Sequence, residues 1–278
     1  MKNAIKTWAV CLSALMLLGV FAGCGKTEDT PEGLVILEEA LAPEEYGIGF
    51  RKGDALCEQV NAALKVLKAN GTAADIATKW FGSDITTIVA DENALDGVAV
   101  EEGRTLILGL DDAFPPMGYR DGNNNIVGFD IDLAQAVCSY LGWELTLQPI
   151  SWDAKEMELN SGNIDCIWNG MSLDEDRMAA MSCTEPYLAN EQVLVVRADS
   201  GYSTLSDLSG KTIALQKEST AASALDAAES FKKSLANVST FGNNLECLMD
   251  LEQGGVDAVL MDSVVASYYI TTGSSDIS

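Results

Sequence analysis

The chain has 278 residues, 47% of them hydrophobic, enough to bury a substantial core in one large domain or two modest ones and to exclude disorder as the main state. Its formal net charge of −25 repels nucleic acid and anionic lipid, so neither is an expected partner through surface charge. There is no histidine, which removes the usual general base, the usual triad member and the commonest metal ligand, so neither hydrolase chemistry nor a metal or other cofactor is expected.

The first 23 residues carry only Lys2 and Lys6 as charges, ahead of an apolar run from Trp8 to Phe21. That run of about 14 residues falls short of the roughly 20 that span a bilayer, and Ala22 and Gly23 then precede Cys24. The segment 1–23 therefore reads as a secretory signal. The stretch VFAGC (Val20 to Cys24) resembles a bacterial lipobox, which implies an acylated Cys24 and an extracytoplasmic, membrane-anchored protein. Two acyl chains on one residue meet the two-signal requirement for stable attachment. Cys57, Cys138, Cys166, Cys183 and Cys247 show no CxxC spacing and mostly stand in apolar segments, so small buried thiols are expected, with one disulfide open.

After the leader, Leu56, Val60, Ala63, Leu64 and Leu67 form a helical apolar stripe stopped by Asn70 and Gly71, and Ile76, Ala77 and Trp80 predict a second short helix. The acidic stretch from Ser83 to Gly103 lacks strong periodicity and reads as a linker. TLILGLD (Thr105 to Asp111) predicts a buried strand, followed by a loop rich in Pro and Gly. A helix over Phe129 to Gly142, a strand over Trp143 to Ile150, a helix near Asp153 to Ser161 and a strand over Ile164 to Asn169 complete one βα series. The β-branched run from Tyr187 to Ser200 suits a strand crossing between two lobes. A second series follows, with strand Lys211 to Gln216, helix Thr220 to Leu235, helix Asn244 to Glu252 and strand Val256 to Met261. Two α/β lobes are expected, each a mainly parallel sheet flanked by helices, with the ligand cleft between them beyond the carboxyl ends of the strands.

Four stretches, LGLDDAFPPMGY, GFDIDLAQAV, IDCIWNGMSLDEDR and VDAVLMDSVVASYY, resemble in that order the polar amino acid receptors of bacterial ABC importers, family 3 of the solute-binding proteins. The resemblance implies a periplasmic-binding-protein-like fold with two hinge strands, about 34–50 and 187–198. It also implies an unusual order. Glu44 to Gly82 looks like the carboxyl-terminal end of the family, and Leu34 to Pro43 like the strand that leaves the second lobe, yet both precede the rest. The expected arrangement is a circular permutation, with lobe 1 over 44–190, its former ends joined by the linker 83–103, and lobe 2 made of 26–43 plus 195–278.

A zwitterionic ligand needs an anion site and a cation site close together. Arg177 can hold a carboxylate through two parallel hydrogen bonds, which lysine cannot match, and the resemblance implies that role. Ser219 and Thr220 stand where a strand gives way to a helix, and either receive the same carboxylate or simply cap the helix. The resemblance implies that Asp262 pairs with the α-ammonium, with Asn169, Gly170 and Ser172 beside it. Phe114 either packs on the ligand's carbon chain or belongs to the core, and Trp152 is either the opposite wall or core. Asp111 either selects a basic side chain or orders its loop, and Glu218 replaces a small residue common in the family. The expected function is capture of a polar amino acid by lobe closure, without catalysis, by a monomer that hands its ligand to permease subunits. The alternatives are a cyclohexadienyl dehydratase-like enzyme on the same fold and a sensing lipoprotein that docks no transporter.

Overall fold

The computed structural model describes residues 33–272. The expected signal, Cys24 and the outermost residues of the expected second lobe lie outside them. The described chain opens with β1 (Leu34–Ile36) and β2 (Ala42–Phe50), whose second half is wholly buried. Helix α1 (Leu56–Ala69) buries the stripe Leu56, Val60, Ala63, Leu64 and Leu67, as helical spacing requires, and α2 (Thr72–Phe81) follows directly. Trp80 of α2 donates its indole N–H to Asp132 at 2.7 Å.

The stretch from 83 to 104 forms no named element, but it is fastened down. Ile88 is buried, Thr86 bridges to Leu188, and the Glu101 carbonyl accepts the indole N–H of Trp143 at 2.7 Å.

The family-like region begins with β3 (Thr105–Leu110), in which Leu106, Leu108 and Leu110 are fully buried. A loop is expected next, but β4 (Ala113–Phe114), β5 (Gly118–Arg120) and β6 (Ile126–Val127) form a small antiparallel meander there. Helix α3 (Phe129–Leu141) ends at Gly142, whose positive φ lets its N–H reach the Cys138 carbonyl. Strand β7 (Glu144–Pro149), a 3-10 turn at Trp152–Ala154 and α4 (Lys155–Ser161) lead into β8 (Cys166–Ser172), every residue of which is buried. This strand starts two residues later than the sequence suggests and runs three further. Helix α5 (Glu175–Ala180), β9 (Ser182–Cys183) and β10 (Leu188–Arg197) follow.

The second series comprises β11 (Thr212–Gln216), α6 (Thr220–Ala227), α7 (Glu229–Ser234), β12 (Asn237–Phe241), α8 (Asn244–Glu252), β13 (Ala258–Asp262) and α9 (Ser263–Thr272). The single helix expected over Thr220 to Leu235 is two helices. Ala228 departs from helical geometry with ψ of 53°, and the redirected α7 buries Phe231 in the apolar cluster of this lobe.

The main sheet runs in the order β12-β11-β13-β10-β2-β8-β3-β7. The trio β7-β3-β8 is parallel, as is β12-β11-β13, which matches the two βα series. Strands β10 and β2 lie antiparallel between the trios. The fold is therefore a two-lobed α/β architecture in which two long strands connect parallel half-sheets. The five cysteines of the described residues are free thiols, three of them buried.

Candidate functional site

The carboxyl ends of the parallel strands converge, since Asp111 directly follows β3, while Gln216 ends β11 and Asp262 ends β13. Loops beyond such strand ends are where open α/β sheets hold ligands. A cavity of about 270 Å³ lies there, lined by Asp111, Phe114, Trp152, Asn169, Gly170, Ser172, Arg177, Ser219, Thr220 and Asp262, with Gln216 added. All ten positions singled out from the sequence thus reach one space.

Arg177 is held from two sides. Asp174 caps α5 by accepting the Arg177 backbone N–H at 2.7 Å and lies 3.5 Å from the guanidinium. The guanidinium donates to the carbonyls of Ser172 at 2.8 Å and Glu218 at 3.3 Å. Five N–H donors exceed these acceptors, so the buried fork keeps donors for an anion.

The amino end of α6 borders the same cavity through Ser219 and Thr220. Ser219 occupies the cap position, yet its hydroxyl donates backward to the Gln216 carbonyl at 2.8 Å, so its side chain caps no first-turn N–H, although the Ala222 N–H reaches the Ser219 carbonyl at 3.2 Å. Free N–H groups and the helix dipole there favour negative charge. Thr220 donates across the cleft to the Ser172 hydroxyl at 3.2 Å.

Two carboxylates answer these donors. Asp262 accepts from the Tyr46 hydroxyl at 2.8 Å and from Asn190 at 2.6 Å, and burial first, then the nearby charge of Glu44, pushes its pKa up to about 7. Asp111 receives the Ala113 N–H at 3.0 Å and the Gln216 amide at 2.8 Å, and burial pushes it up to about 6. Asp111 thus orders its loop and lines the cavity at once. Among the described residues neither carboxylate has an ion-pair partner within 4 Å, so each wants positive charge from a ligand.

Gly170 is required by shape. Its φ is +57°, and a Cβ there would stand 2.7 Å from the Phe114 ring. Phe114 and Trp152 are both nearly buried, which leaves their remaining exposed surface to the cavity. Glu218 lies outside this cavity and contributes its backbone carbonyl to the wall around Arg177.

Several residues here were not apparent from the sequence. Gln216 closes an apolar strand, and a lone polar residue at a strand's carboxyl end was the available signal. Tyr46, Asn190 and Glu44 come from β2 and β10, and only the tertiary fold brings them to the site. Glu44 accepts from Ser172 at 2.7 Å, Asn190 at 3.1 Å and Gln192 at 3.0 Å. Among the described residues no group of three or more Cys, Asp or Glu side chains is placed to hold a metal ion, and no helix is long and apolar enough to cross a membrane.

A chain with two lobes and a cleft at the strand ends that is lined by an arginine and two aspartates has the form of a solute receptor. The profile of the bacterial extracellular solute-binding proteins, family 3, matches residues 106–265, and the chain belongs to that family. It is similar to the L-cystine-binding protein TcyJ of Escherichia coli (strain K12), 28% identical over 64% of this chain and 65% of that protein. The chain thus spans about 65% of the length of this curated relative. Among solved structures it resembles a substrate-binding protein of an ABC uptake transporter from Streptococcus pneumoniae with bound histidine. That pair is 38% identical over 60% of this chain and 69% of the other, with a TM-score of 0.59. It also resembles the arginine-bound form of truncated ArgBP from T. maritima, at 34% identity over 61% of this chain and 78% of the other, with a TM-score of 0.56.

Proposed function

We propose that this chain is an extracytoplasmic receptor that closes on one polar amino acid with a cationic side chain and delivers it to an ABC importer. The observation that carries this reading is the charge layout of the cavity. Arg177 and the uncapped start of α6 suit a carboxylate, Asp262 suits an α-ammonium, and Asp111 remains as a third charged position with no cation beside it. Phe114 and Trp152 provide apolar walls for the carbon chain between them. The relatives that carry bound histidine or arginine support a cationic side chain at Asp111.

Closure needs no chemistry on the ligand. Gln216 meets Asp111 and Thr220 meets Ser172 across the cleft, so ligand binding adds to contacts the closed state already makes. Arg177 and the carboxylates belong to binding in this reading, and product formation from a candidate substrate would separate a dehydratase-like enzyme from a receptor.

The same reading includes lipidation at Cys24 and a permuted order, with lobe 1 over 44–190 and lobe 2 over 26–43 plus 195–278. The order is supported by β2, which precedes the family match in sequence yet pairs with both β10 and β8 in the middle of the sheet.

A thermal-shift screen of the purified chain against the common amino acids, ornithine and cystine tests the function. Stabilisation by arginine, lysine, ornithine or histidine is expected. A cooperative melt that no amino acid moves would reject the reading.

A further inference from the structure

Lys155, the first residue of α4, is only 4% exposed, yet it has no carboxylate within ion-pair distance among the described residues. The formal charge that acts on it most strongly is another cation. Burial first, and Arg177 second, lower its pKa to about 8, while Glu156, Glu218 and Asp174 act in the opposite direction. Asp176 also lines the adjoining cavity of about 580 Å³ that Lys155 and Arg177 share. A buried ammonium beside a guanidinium is costly, so something must hold it there.

What holds it belongs to the other lobe. The Lys155 ammonium donates to the Glu218 carbonyl at 2.9 Å, and Arg177 donates to the same oxygen at 3.3 Å. Glu218 presents that carbonyl from a backbone with φ of +52°, an uncommon conformation for a residue with a side chain. The ammonium also donates to the Trp152 carbonyl at 3.3 Å and stands 5.2 Å from the centre of the Trp152 ring. One amine therefore joins the aromatic wall of the cavity, the acceptor of the carboxylate-binding arginine, and the turn that leads into α6.

We propose that Lys155 is the latch of cleft closure, a positioning residue that holds the Glu218 turn against the first lobe so that Arg177 and the start of α6 converge on the ligand's carboxylate. It lines the adjoining cavity and not the ligand cavity, so its effect is on how long the closed state lasts. A ligand carboxylate on Arg177 screens the charge that opposes Lys155, so closure favours the protonated amine. Above about pH 8 the amine loses its charge and one N–H, and the latch weakens.

This inference rests on the amino acid receptor reading for its ligand, and the test separates the two. Dissociation and association rates of arginine are measured by stopped-flow tryptophan fluorescence for the wild type, Lys155→Met and Lys155→Arg between pH 7 and pH 9.5. Lys155→Met is expected to release ligand at least about tenfold faster, the scale of one lost charged hydrogen bond, with association within about twofold. It should also lose the rise in dissociation expected of the wild type above about pH 8. Lys155→Arg is expected to restore slow release and keep it to pH 9.5. Wild-type dissociation and an unchanged alkaline profile in Lys155→Met would overturn the latch. If the wild type binds no amino acid, the receptor reading fails by itself. Small-angle scattering of the unliganded chains then decides the latch, with a larger radius of gyration expected for Lys155→Met than for Lys155→Arg, and identical curves overturning it.

Discussion

Tyr46 and Asp262, 216 positions apart, meet in a 2.8 Å hydrogen bond that joins strand β2 to the carboxylate at the floor of the ligand cavity. The strand that connects the half-sheets is therefore wired to the group proposed to answer the ligand's ammonium. Any change in the charge of Asp262 is felt where the lobes hinge.

The buried carboxylates set a pH dependence. Asp262 and Asp111 have folded pKa values raised to about 7 and about 6, so the folded chain keeps protons that the unfolded chain, near 4, has lost. Their contribution to stability is full below about pH 4 and falls as pH rises toward 7, on the order of a few kcal/mol. Asp262→Asn is accordingly expected to raise the ligand-free Tm at pH 7.5 by several degrees, to leave it little changed at pH 4.5, and to abolish ligand-induced stabilisation. Calorimetric melts at the two pH values check this.

Arg177→Ala leaves the Glu218 and Ser172 carbonyls without the guanidinium and any ligand carboxylate underpaired. Binding is expected to weaken by about 2 to 5 kcal/mol while circular dichroism stays that of the wild type. Arg177→Lys should recover little of it, because an ammonium cannot make the forked contact. Titration calorimetry of both variants reads the difference.

Gly170→Ala forces a side chain into positive φ and against the Phe114 ring. Destabilisation of about 1 to 3 kcal/mol is expected in urea unfolding, together with weaker binding because Phe114 must move from the cavity wall.

Gln216→Leu keeps the volume and removes the amide that donates to Asp111 and to the Gly242 carbonyl. The buried Asp111 then rises further in pKa, so affinity for a cationic side chain should drop at pH 6 more than at pH 8. Paired titrations at those values reveal the slope.

Much of this site was legible because its chemistry stands at places the sequence marks. Asp111 and Asp262 each follow an apolar run that could only be a buried strand, and Arg177 follows Asp174 at a helix start. The end of β8 and the meander β4 to β6 were less legible, because short strands in a turn-rich segment have no period long enough to read. Strand β12 was missed for a different reason. Its sequence NVSTF is polar and half exposed at the sheet edge, so burial did not select apolar residues there. The break at Ala228 carries no Gly or Pro, and only the burial of Phe231 accounts for it. Tyr46, Asn190 and Lys155 were invisible as site residues because each acts through a partner that is distant in the chain.

The most direct test of the account is titration calorimetry of the purified chain with arginine, run beside Arg177→Ala and Asp262→Asn. One arginine per chain with a dissociation constant near or below the micromolar range, about −8 kcal/mol, is expected for the wild type, with binding weakened by at least about 2 kcal/mol in either variant. Folded wild-type protein that takes up no cationic amino acid, or binding undiminished by both substitutions, would contradict it.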